Sequence, residues 1–370
     1  MKLGMIGLGR VAWLLDKDPL RPKPATHWGA WQLVKGVRLA AVCDRDPARL
    51  EAFLDEHPKV RGYTDYRKML REEPLDLLSI AAYADTRQAM VSLACRSGVK
   101  GIWCEKAMGT SLEDALKIER AVKRHKVQLA MSYPRRWGAA YQWVAQALQQ
   151  GDLGRLESVN VQFPGNFIHT GTHAFDVLRM WCGEAVAVQG WLEGGSQHIQ
   201  DSGYRFETQF DEARPQNDLG GFGVIWFENG ARATLQAGAK NYFRFEFELL
   251  TDRAMVRLGN SQRELWQVAS SPRFTGFQEL QKVDFPSLQE RNVFSAVALN
   301  LAEAVSKAKK EQPSQGAGAS KKAAFKPVLC DATDGRKALE IGIALHQSHA
   351  GGNTVVRMQE LSQTLKVQNR

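Results

Sequence analysis

The strongest indication of the fold is the N-terminal sequence Met1-Lys-Leu-Gly-Met-Ile-Gly7-Leu-Gly9-Arg-Val-Ala12. Its first half is a short apolar run, which is typical of a buried strand. Gly7, Gly9 and Ala12 follow with the spacing G-x-G-x-x-A, which suits a tight turn, a close approach of the backbone to a pyrophosphate and close packing of a helix on the strand. The pattern therefore predicts a strand, a phosphate-binding turn and a helix whose first N–H groups face the phosphates. A plain strand–helix turn without a ligand is the alternative.

Similar apolar runs alternate with amphipathic stretches through the first 133 residues. The clearest helix start follows Ser111, which can cap the helix, with Glu113 and Asp114 in the first turn. Apolar strands that alternate with helices predict a parallel sheet covered on both faces. The predicted strands are Leu3–Gly7, Val37–Cys43, Leu75–Ala81, Gly101–Cys104 and Val127–Ser132.

An acidic residue, Asp44, closes the second of these strands. A carboxylate at this place accepts hydrogen bonds from the adenosine ribose and repels a 2′-phosphate, so NAD is the predicted cofactor of a Rossmann domain. NADP is the less favoured alternative, because the adjacent Arg45 could hold a phosphate. Gly9 and Asp44 are 35 residues apart, whereas the usual spacing is about 20. The extra length lies in the proline-rich stretch Asp16–Trp28, which predicts an inserted loop near the mouth of the cofactor cleft.

The apolar periodicity changes after about residue 150. Ala231–Ala237 and Phe243–Leu249 both alternate strictly. Asn229-Gly230, directly before the first of these runs, is a two-residue hairpin signal. Strict alternation predicts an antiparallel sheet with one buried and one open face. The open face could pack against a second subunit if it carries Trp226 or Trp266, because it would then be too apolar to leave in water.

Helical patterns return near the C-terminus, at Asn292–Lys309 and Thr333–His349, on either side of a Gly- and Ser-rich stretch, Gln312–Lys322, that predicts a flexible excursion. The chain is thus predicted to be an α/β protein of two domains. Residues 1–133 form the dinucleotide-binding domain. Residues 134–370 form an α/β domain with an open, mainly antiparallel sheet for substrate binding and oligomerisation.

Composition narrows the class of protein. The 370 residues are 44% apolar and 24% charged, as in a globular protein. No apolar run is long enough to cross a bilayer, and glycines interrupt the first ten residues where a signal peptide would need its apolar centre. The five cysteines are scattered without metal-ligand spacing, which favours reduced thiols in a cytoplasmic protein. The net charge of +9 is spread among acidic residues, so neither nucleic acid nor a membrane is the predicted partner.

Two further groups of residues suggest chemistry. Glu105-Lys106 ends the fourth strand, at the sheet edge where ligands bind. A lysine beside an oxidised nicotinamide gives up its proton more readily and could exchange it with a substrate hydroxyl. Gly171-Thr-His173-Ala-Phe-Asp176 opens the helical pattern Asp176–Cys182, and His169 lies four residues before His173. Taken alone, the Glu-Lys pair is more typical of a solvated surface, and the histidines could be structural. A two-histidine metal site lacks a third ligand with suitable spacing.

The motifs taken together resemble the Gfo/Idh/MocA oxidoreductase family, which includes glucose–fructose oxidoreductase and inositol dehydrogenase. The resemblance covers nearly the whole chain in the right order and rests on Gly7–Ala12, Asp44, Glu105-Lys106, Tyr133-Pro-Arg-Arg136, Gly171–Asp176 and Cys330-Asp-Ala-Thr-Asp-Gly-Arg-Lys-Ala-Leu-Glu340. It implies a Rossmann domain and an α/β domain whose open sheet often forms dimers or tetramers. It also implies that Lys106 is the lysine of the Glu-Lys-Pro motif and that His173 lies near the reacting carbinol.

The site residues assigned on this basis fall into three groups. The catalytic candidates are Lys106, His173 and His169. Cofactor binding is assigned to Gly7, Leu8, Gly9, Arg10, Val11, Asp44, Arg45, Ala82, Glu105 and Lys106. Substrate binding is assigned to Lys106, Tyr133, Arg136, Asn166, His169 and His173, and no metal is expected.

Two positions depart from the family pattern. Ala107 stands where the family has the proline that shapes the turn after the lysine. His169 stands where the inositol-dehydrogenase branch carries an aspartate, so an inositol substrate is less favoured.

Three functions are compatible with the sequence. The first is reversible oxidation of a hydroxyl on a sugar, sugar nucleotide or cyclitol. The second is an NAD-dependent glycosidase that oxidises the sugar transiently and reduces the product again. The third is a non-catalytic sensor of NAD or a sugar, which the presence of both Lys106 and His173 disfavours.

Overall fold

The computed structural model describes residues 1–193, 216–238, 242–310 and 328–368. Its first sheet is parallel throughout. It contains all five strands that the apolar runs predict and one more, β3. Its strands are β1 Lys2–Ile6, β2 Arg38–Cys43, β3 Arg61–Tyr63, β4 Leu77–Ile80, β5 Gly101–Cys104 and β6 Gln128–Met131. They lie in the order β3-β2-β1-β4-β5-β6. The order reverses at β1, which opens a crevice at the carboxyl ends of the strands where ligands bind in such folds.

The helices that accompany this sheet are α1 His27–Gln32, α2 Pro47–Glu56, α3 Tyr66–Glu72, α4 Ala84–Arg96 and α5 Leu112–His125. The start of α5 directly after Ser111 is as predicted. The helix predicted directly after Ala12 is interrupted, and this correction has a specific geometric cause.

The first helix is split by a detour. The backbone N–H groups of Ala12 and Trp13 both donate to Gly9 O, at 3.2 and 3.3 Å, and the chain then leaves through a 3₁₀ helix, Leu14–Lys17. His27 N donates to Val11 O at 3.0 Å, and Trp28 N donates to Ala12 O at 2.9 Å. In an unbroken helix these carbonyls would accept from residues 15 and 16. Helix α1 therefore resumes the same helix after a detour of twelve residues (27 minus 15), which overlaps the predicted insertion Asp16–Trp28. Without it, the separation of Gly9 and Asp44 would be 23 residues (35 minus 12).

The chain divides into two compact units. The first comprises Met1–Gly109, Glu113–Trp137 and Arg291–Arg336, and the second comprises Thr110–Leu112, Gly138–Glu290 and Lys337–Arg370. The observed division differs from the predicted domain boundary between residues 133 and 134. Helix α8, Val293–Lys310, packs against β5 and β6 of the first sheet and so belongs to the first unit. Gly101 at the start of β5 makes this approach possible, since a Cβ there would lie 2.6 Å from Val305 Cγ2.

The second unit is built on a nine-stranded sheet in which every adjacent pair is antiparallel except β7 and β11. Its strands are β7 Leu156–Pro164, β8 Ala185–Glu193, β10 Gly220–Phe227, β11 Arg232–Gly238, β12 Glu246–Thr251, β13 Ala254–Gly259, β14 Arg263–Ser270, β15 Gln278–Val283 and β16 Val356–Arg357. They lie in the order β15-β14-β13-β12-β7-β11-β10-β8-β16. A short β9, Gln216–Asn217, pairs separately with β17, Val367–Gln368.

The helices of the second unit are α6 Ala139–Gln150, α7 Thr172–Cys182 and α9 Ala332–Ala350, of which α9 begins in the first unit. The hairpin predicted at Asn229-Gly230 is confirmed between β10 and β11, but its turn has three residues instead of two. Phe227 N donates to Ala231 O at 3.1 Å, and within the turn only Gly230 has a positive φ, at +86°. The alternation at Phe243–Leu249 yields a shorter strand than predicted, because β12 begins at Glu246 and Phe243 is exposed. The stretch Gln312–Lys322 lies outside the described residues.

The two faces of this sheet differ as the alternation predicts. The inner face is apolar and buried, and Phe247 packs there edge-to-face on Trp181 of α7 at 5.0 Å. The outer face carries both Trp226 and Trp266, each partly exposed. Among the described residues, no helix combines the length and the apolar character that a membrane span requires.

Candidate functional site

Several predicted site residues meet at the carboxyl edge of the first sheet. The residue after each strand donates its backbone N–H to the last carbonyl of a neighbouring strand. These bonds run from Gly7 to Cys43, Ala81 to Ile6, Glu105 to Ile80 and Ser132 to Cys104, at N···O distances of 2.8, 2.8, 2.9 and 2.9 Å. The sheet ladder thus extends past the strand ends and places Gly7, Asp44, Ala82 and Glu105 along one edge.

The glycine turn has the shape that a dinucleotide requires. Gly7 has φ +87°, and a Cβ there would lie 2.6 Å from Ala81 O, so a larger residue would push the turn away from β4. A Cβ at Gly9 would meet no atom within 4 Å, so the backbone of Gly9 borders an open cradle that any side chain would begin to fill. The residues present therefore fit a pyrophosphate held against backbone N–H groups.

Leu8, between the two glycines, stabilises the turn through its backbone and its buried side chain. Its side chain is buried, its N–H donates to Asp44 Oδ2 at 2.7 Å, and its carbonyl accepts from Trp13 Nε1 at 2.9 Å. Both backbone polar groups of Leu8 are thus engaged within the protein, while Arg10 is exposed.

The Asp44 carboxylate is buried and fixed by two backbone donors. Besides the bond from Leu8, its Oδ1 accepts from Asp46 N at 2.9 Å. Each carboxylate oxygen can accept a second hydrogen bond, so these contacts orient Asp44 and leave it acceptor capacity for ribose hydroxyls. Arg45 lies over the ring of Tyr83, with Cζ 5.8 Å from the ring centroid, on the exposed side of this corner.

Glu105 contacts a buried histidine, His27, that no motif predicted at this site. His27 Nε2 lies 3.0 Å from Glu105 Oε1, and the imidazole stacks on Trp103 with centroids 3.8 Å apart. Burial of Glu105 opposes its ionisation, but the hydrogen bond and charge of His27, the hydrogen bond of Ser132 and the charge of Lys106 outweigh it and lower the pKa of Glu105 to about 2. A fixed negative charge therefore adjoins Lys106 at neutral pH.

A second unforeseen residue, Arg87, holds the segment after Lys106. The buried guanidinium donates from Nη1 to Ala107 O and from Nη2 to Ala82 O at 2.7 Å. Arg87 therefore ties the loop after β4 to the loop after β5 at the position where the family has its proline. The Lys106–Ala107 peptide bond is cis.

The Tyr133–Arg136 motif also lies in the first unit. Tyr133 is fully buried and precedes a 3₁₀ helix, Pro134–Trp137. Arg136 donates to Leu329 O at 3.3 Å and lies 3.3 Å from Asp334 Oδ1. The guanidinium thus has a structural role in the first unit, and contacts of Tyr133 and Arg136 with a substrate stay predictions.

The second unit carries the predicted histidines on one continuous helical segment. A π-helical turn, Phe167–Gly171, contains His169 and runs directly into α7, whose first turn contains His173. Helix α7 therefore begins four residues before the predicted start at Asp176. Asn166 is the residue that precedes the π-turn. Such π-turns are rare and frequent at functional sites.

A distant aspartate that sequence reasoning missed holds this turn. Asp218 is buried, its Oδ1 accepts from Ile168 N at 2.8 Å, and its Oδ2 accepts from His169 N at 2.6 Å. Asp218 lies 49 and 50 residues from these donors, so no local pattern could reveal the contact.

His346 of α9 completes the arrangement as a neutral imidazole. Its Nδ1 lies 2.8 Å from Gly342 O, and its Nε2 accepts from Leu219 N at 3.1 Å. Because Nε2 accepts, the ring proton is on Nδ1, and the 3.5 Å approach of Nε2 to Asp218 Oδ1 is not an ion pair. Burial lowers the pKa of His346 to about 4, in agreement with this tautomer.

Stability should depend on pH through His346. Its folded pKa of about 4 lies below its ordinary value of 6.5, so the unfolded chain binds the proton first as the pH falls. The stability contributed by the neutral imidazole is present above about pH 6.5 and is lost as the pH falls towards 4, at up to about 1.4 kcal/mol per pH unit. Urea unfolding at about pH 7.5 and pH 5.5 should therefore show a loss of about 1 kcal/mol that is absent from His346→Gln. Burial also lowers the pKa of His57, but His57 is present in both proteins and contributes equally to their pH dependence. An equal pH dependence in the two proteins would contradict the neutral assignment.

The described residues contain no group of three or more His, Cys, Asp or Glu side chains arranged to hold a metal ion. All five cysteines are buried free thiols, as predicted.

Comparison with known proteins agrees with this geometry. Residues 1–133 match the model of the Gfo/Idh/MocA family, described as an oxidoreductase family with an NAD-binding Rossmann fold. The D-apiose dehydrogenase of Paraburkholderia graminis is 36% identical over 128 residues, which cover 35% of this chain and 34% of that protein. The chain thus matches about one third of the length of this curated relative.

Two solved structures share the fold over nearly the whole chain. A putative NADPH-dependent oxidoreductase from Desulfitobacterium hafniense has a TM-score of 0.72 at 15% identity, covering 97% of this chain and 98% of that one. The WlbA dehydrogenase of Bordetella pertussis, solved with NADH and UDP-GlcNAcA, has a TM-score of 0.69 at 17% identity, covering 96% and 97%. With its six-stranded parallel sheet and glycine cradle, the N-terminal domain of this chain is a Rossmann domain, and residues 1–133 match the Gfo/Idh/MocA family model, which describes an NAD-binding Rossmann fold.

Proposed function

We propose that this protein is an NAD-dependent oxidoreductase that transfers a hydride between nicotinamide and a carbinol of a sugar, sugar nucleotide or cyclitol. The observation that carries the proposal is the shared sheet edge, where the open cradle at Gly9, the oriented carboxylate of Asp44 and the Glu105-Lys106 pair follow neighbouring strands. The names of the apiose and WlbA dehydrogenases support the substrate class. Five buried free thiols favour a reducing, cytoplasmic location.

The chain's own residues have separate roles in this proposal. Bound NAD supplies the hydride acceptor. Gly9 leaves room for the pyrophosphate, and Asp44 accepts from the ribose hydroxyls. Lys106 exchanges a proton with the substrate hydroxyl, and Arg87 and Glu105 fix the backbone on which Lys106 stands. His173 is proposed to hydrogen-bond the substrate, with His169 as the alternative group, while Tyr133, Arg136 and Asn166 are proposed to contact other parts of the substrate.

The test is a panel of sugars, sugar nucleotides and cyclitols assayed for NADH formation, alongside aryl glycosides assayed for phenol release. Accumulation of NADH with at least one carbinol substrate is expected. Phenol release without a net change in NADH would instead establish the glycosidase alternative. Failure of every compound in both assays, with NAD bound, would favour the non-catalytic sensor.

We expect the protein to bind NAD(H) more tightly than NADP(H). The Asp44 carboxylate is held at the end of β2 by Leu8 N and Asp46 N, where it would meet the ribose. Hydrogen bonds to a charged group contribute about 1.5–3 kcal/mol, so Asp44→Ala should weaken NAD binding by roughly 10- to 100-fold and reduce the preference over NADP.

Titration calorimetry measures both affinities. Asp65→Ala is the matched control, because Asp65 also accepts from a backbone N–H two residues on, that of Arg67, but follows the edge strand β3. Equal or reversed affinities in the unsubstituted protein would show that the assignment of NAD is wrong.

We also propose that the chain forms a homodimer or homotetramer through the outer face of the nine-stranded sheet. Trp191 and Phe222 are neighbours on β8 and β10, 5.6 Å apart, and remain 39% and 42% exposed. Trp226 lies on the same face of β10, and exposed apolar patches of this kind mark interaction sites. Trp266 also lies on this face but is separated from the patch by polar side chains such as Asn160 and Glu248. Light scattering should give a multiple of the 41.3 kDa chain mass, and Phe222→Lys should shift it towards the monomer. A monomer at working concentration would refute the proposal.

A further inference from the structure

A buried carboxylate from a distant segment holds the turn that carries His169. Asp218 is 3% exposed and accepts from the consecutive N–H groups of Ile168 and His169 at 2.8 and 2.6 Å. N–H groups in the first turn of a helix have no intrahelical acceptor, so Asp218 supplies the acceptors that this segment lacks. Hydrogen bonds to an ionised carboxylate are short and strong, and water does not compete with them at a buried site.

These bonds fit the π geometry of the turn. With the N–H groups of residues 168 and 169 committed to Asp218, the carbonyl of Asn166 accepts from both Thr170 and Gly171, each at 3.0 Å. The bond from Gly171 spans five residues, which is the wide turn of a π-helix. The backbone direction at His169, and the start of α7 that bears His173, therefore follow from the contact with Asp218.

Asp218 is itself fixed from several sides. Asn166 Nδ2 donates to its carbonyl at 2.7 Å, and its own N–H donates to Gln368 O on β17 at 2.9 Å. The next residue, Leu219, donates to His346 Nε2 on α9 at 3.1 Å. The Asp218 carboxylate thus lies on a segment that is itself held by hydrogen bonds. A residue that orients another element needs such support.

We infer that Asp218 is a positioning residue that sets the orientation of the His169 and His173 imidazoles through the π-turn. The inference rests on the proposed function, because it matters for turnover only if these imidazoles contact the substrate. A displacement of about 1 Å at a reacting group can cost about 100-fold in rate. Loosening this one contact should therefore affect turnover although Asp218 does not contact the substrate in this proposal.

The decisive variant is Asp218→Asn. It preserves size but replaces one acceptor oxygen by an NH₂ donor, which would face a backbone N–H. Asp252→Asn is the matched control, since Asp252 also accepts from a backbone N–H, that of Arg155 at 2.8 Å, in the turn between β12 and β13 of the same unit. Folding of both variants is checked by circular dichroism and thermal unfolding.

Two measurements separate positioning from catalysis. NMR signals of isotope-labelled histidine, assigned with His169→Asn and His173→Asn, report the surroundings of the two imidazoles without any substrate. In Asp218→Asn both signals should move, and in Asp252→Asn both should stay. With a substrate from the panel, Asp218→Asn should lose about 10- to 100-fold in kcat and retain its affinity for NAD.

The outcomes are distinguishable. Unmoved histidine signals in a folded Asp218→Asn protein would overturn the inference whatever the turnover. Moved signals with full turnover would uphold the positioning of the imidazoles and show that the proposed role of the histidines in the reaction is wrong. If Asp218→Asn does not fold, amide hydrogen exchange in the unsubstituted protein decides, because the inference requires the N–H groups of Ile168 and His169 to be protected by Asp218. Exchange there at the rate of a free peptide would overturn the inference.

Discussion

Lys106→Met is expected to lower turnover by about two orders of magnitude or more while leaving the affinity for NAD essentially unchanged. Oxidation of a carbinol leaves an alkoxide-like oxygen as the hydride departs, and a positioned acid–base group contributes typically 10²–10⁴-fold. Lys106 follows β5 at the carboxyl edge of the sheet, next to the ionised Glu105. Methionine retains the length of the side chain but cannot exchange a proton. The measurements are steady-state NADH formation and calorimetric titration with NAD.

The control for this variant is Lys117→Met. Lys117 is an exposed lysine on α5 of the same domain and pairs with Glu113 at 2.7 Å, so its loss removes the same charge away from the sheet edge. It should retain full turnover. If Lys106→Met also retains it, the proton passes through another group and the proposed role of Lys106 is wrong.

The sequence predicted the first sheet closely because its strands are buried on both faces and therefore appear as uninterrupted apolar runs. Gly101–Cys104 was placed to the residue. The missed strand, β3, has three residues, none of them buried, and so lacks that pattern. The hairpin at Asn229-Gly230 was predictable for a different reason, since its turn places Gly230 at positive φ, a conformation that favours glycine.

Contacts between residues far apart in sequence could not be predicted in this way. Nothing in the local pattern shows that His27 and Trp28 donate to the carbonyls of Val11 and Ala12 and so continue a helix across a detour. The same detour delivers His27 to Glu105, 78 residues away. Asp218 likewise reaches the π-turn from a segment about 50 residues distant. The residues of the candidate site were therefore assigned through motifs, while the residues that hold them in place required the structure.

His173→Ala should reduce turnover by about 10²-fold or more, with NAD affinity unchanged. His173 lies in the first turn of α7, in the second unit, so its removal should not touch the dinucleotide cradle of the first domain. Because the imidazole can hydrogen-bond the substrate hydroxyl, KM should rise as well, whereas Lys106→Met should act mainly on kcat. His125→Ala, at the C-terminal end of α5, is an exposed control that should retain activity.

His169→Ala decides between the two histidines. His169 lies in the π-turn four residues before His173, and its backbone N–H is held by Asp218, so the substitution removes the imidazole while the turn retains its anchor. If His173 is the group that contacts the hydroxyl, His169→Ala should be the milder variant in kcat/KM. A greater loss in His169→Ala than in His173→Ala would show that proton exchange runs through the position where the inositol-dehydrogenase branch has an aspartate. Full activity in both histidine variants and in Lys106→Met would show that none of the three catalytic candidates takes part in the reaction.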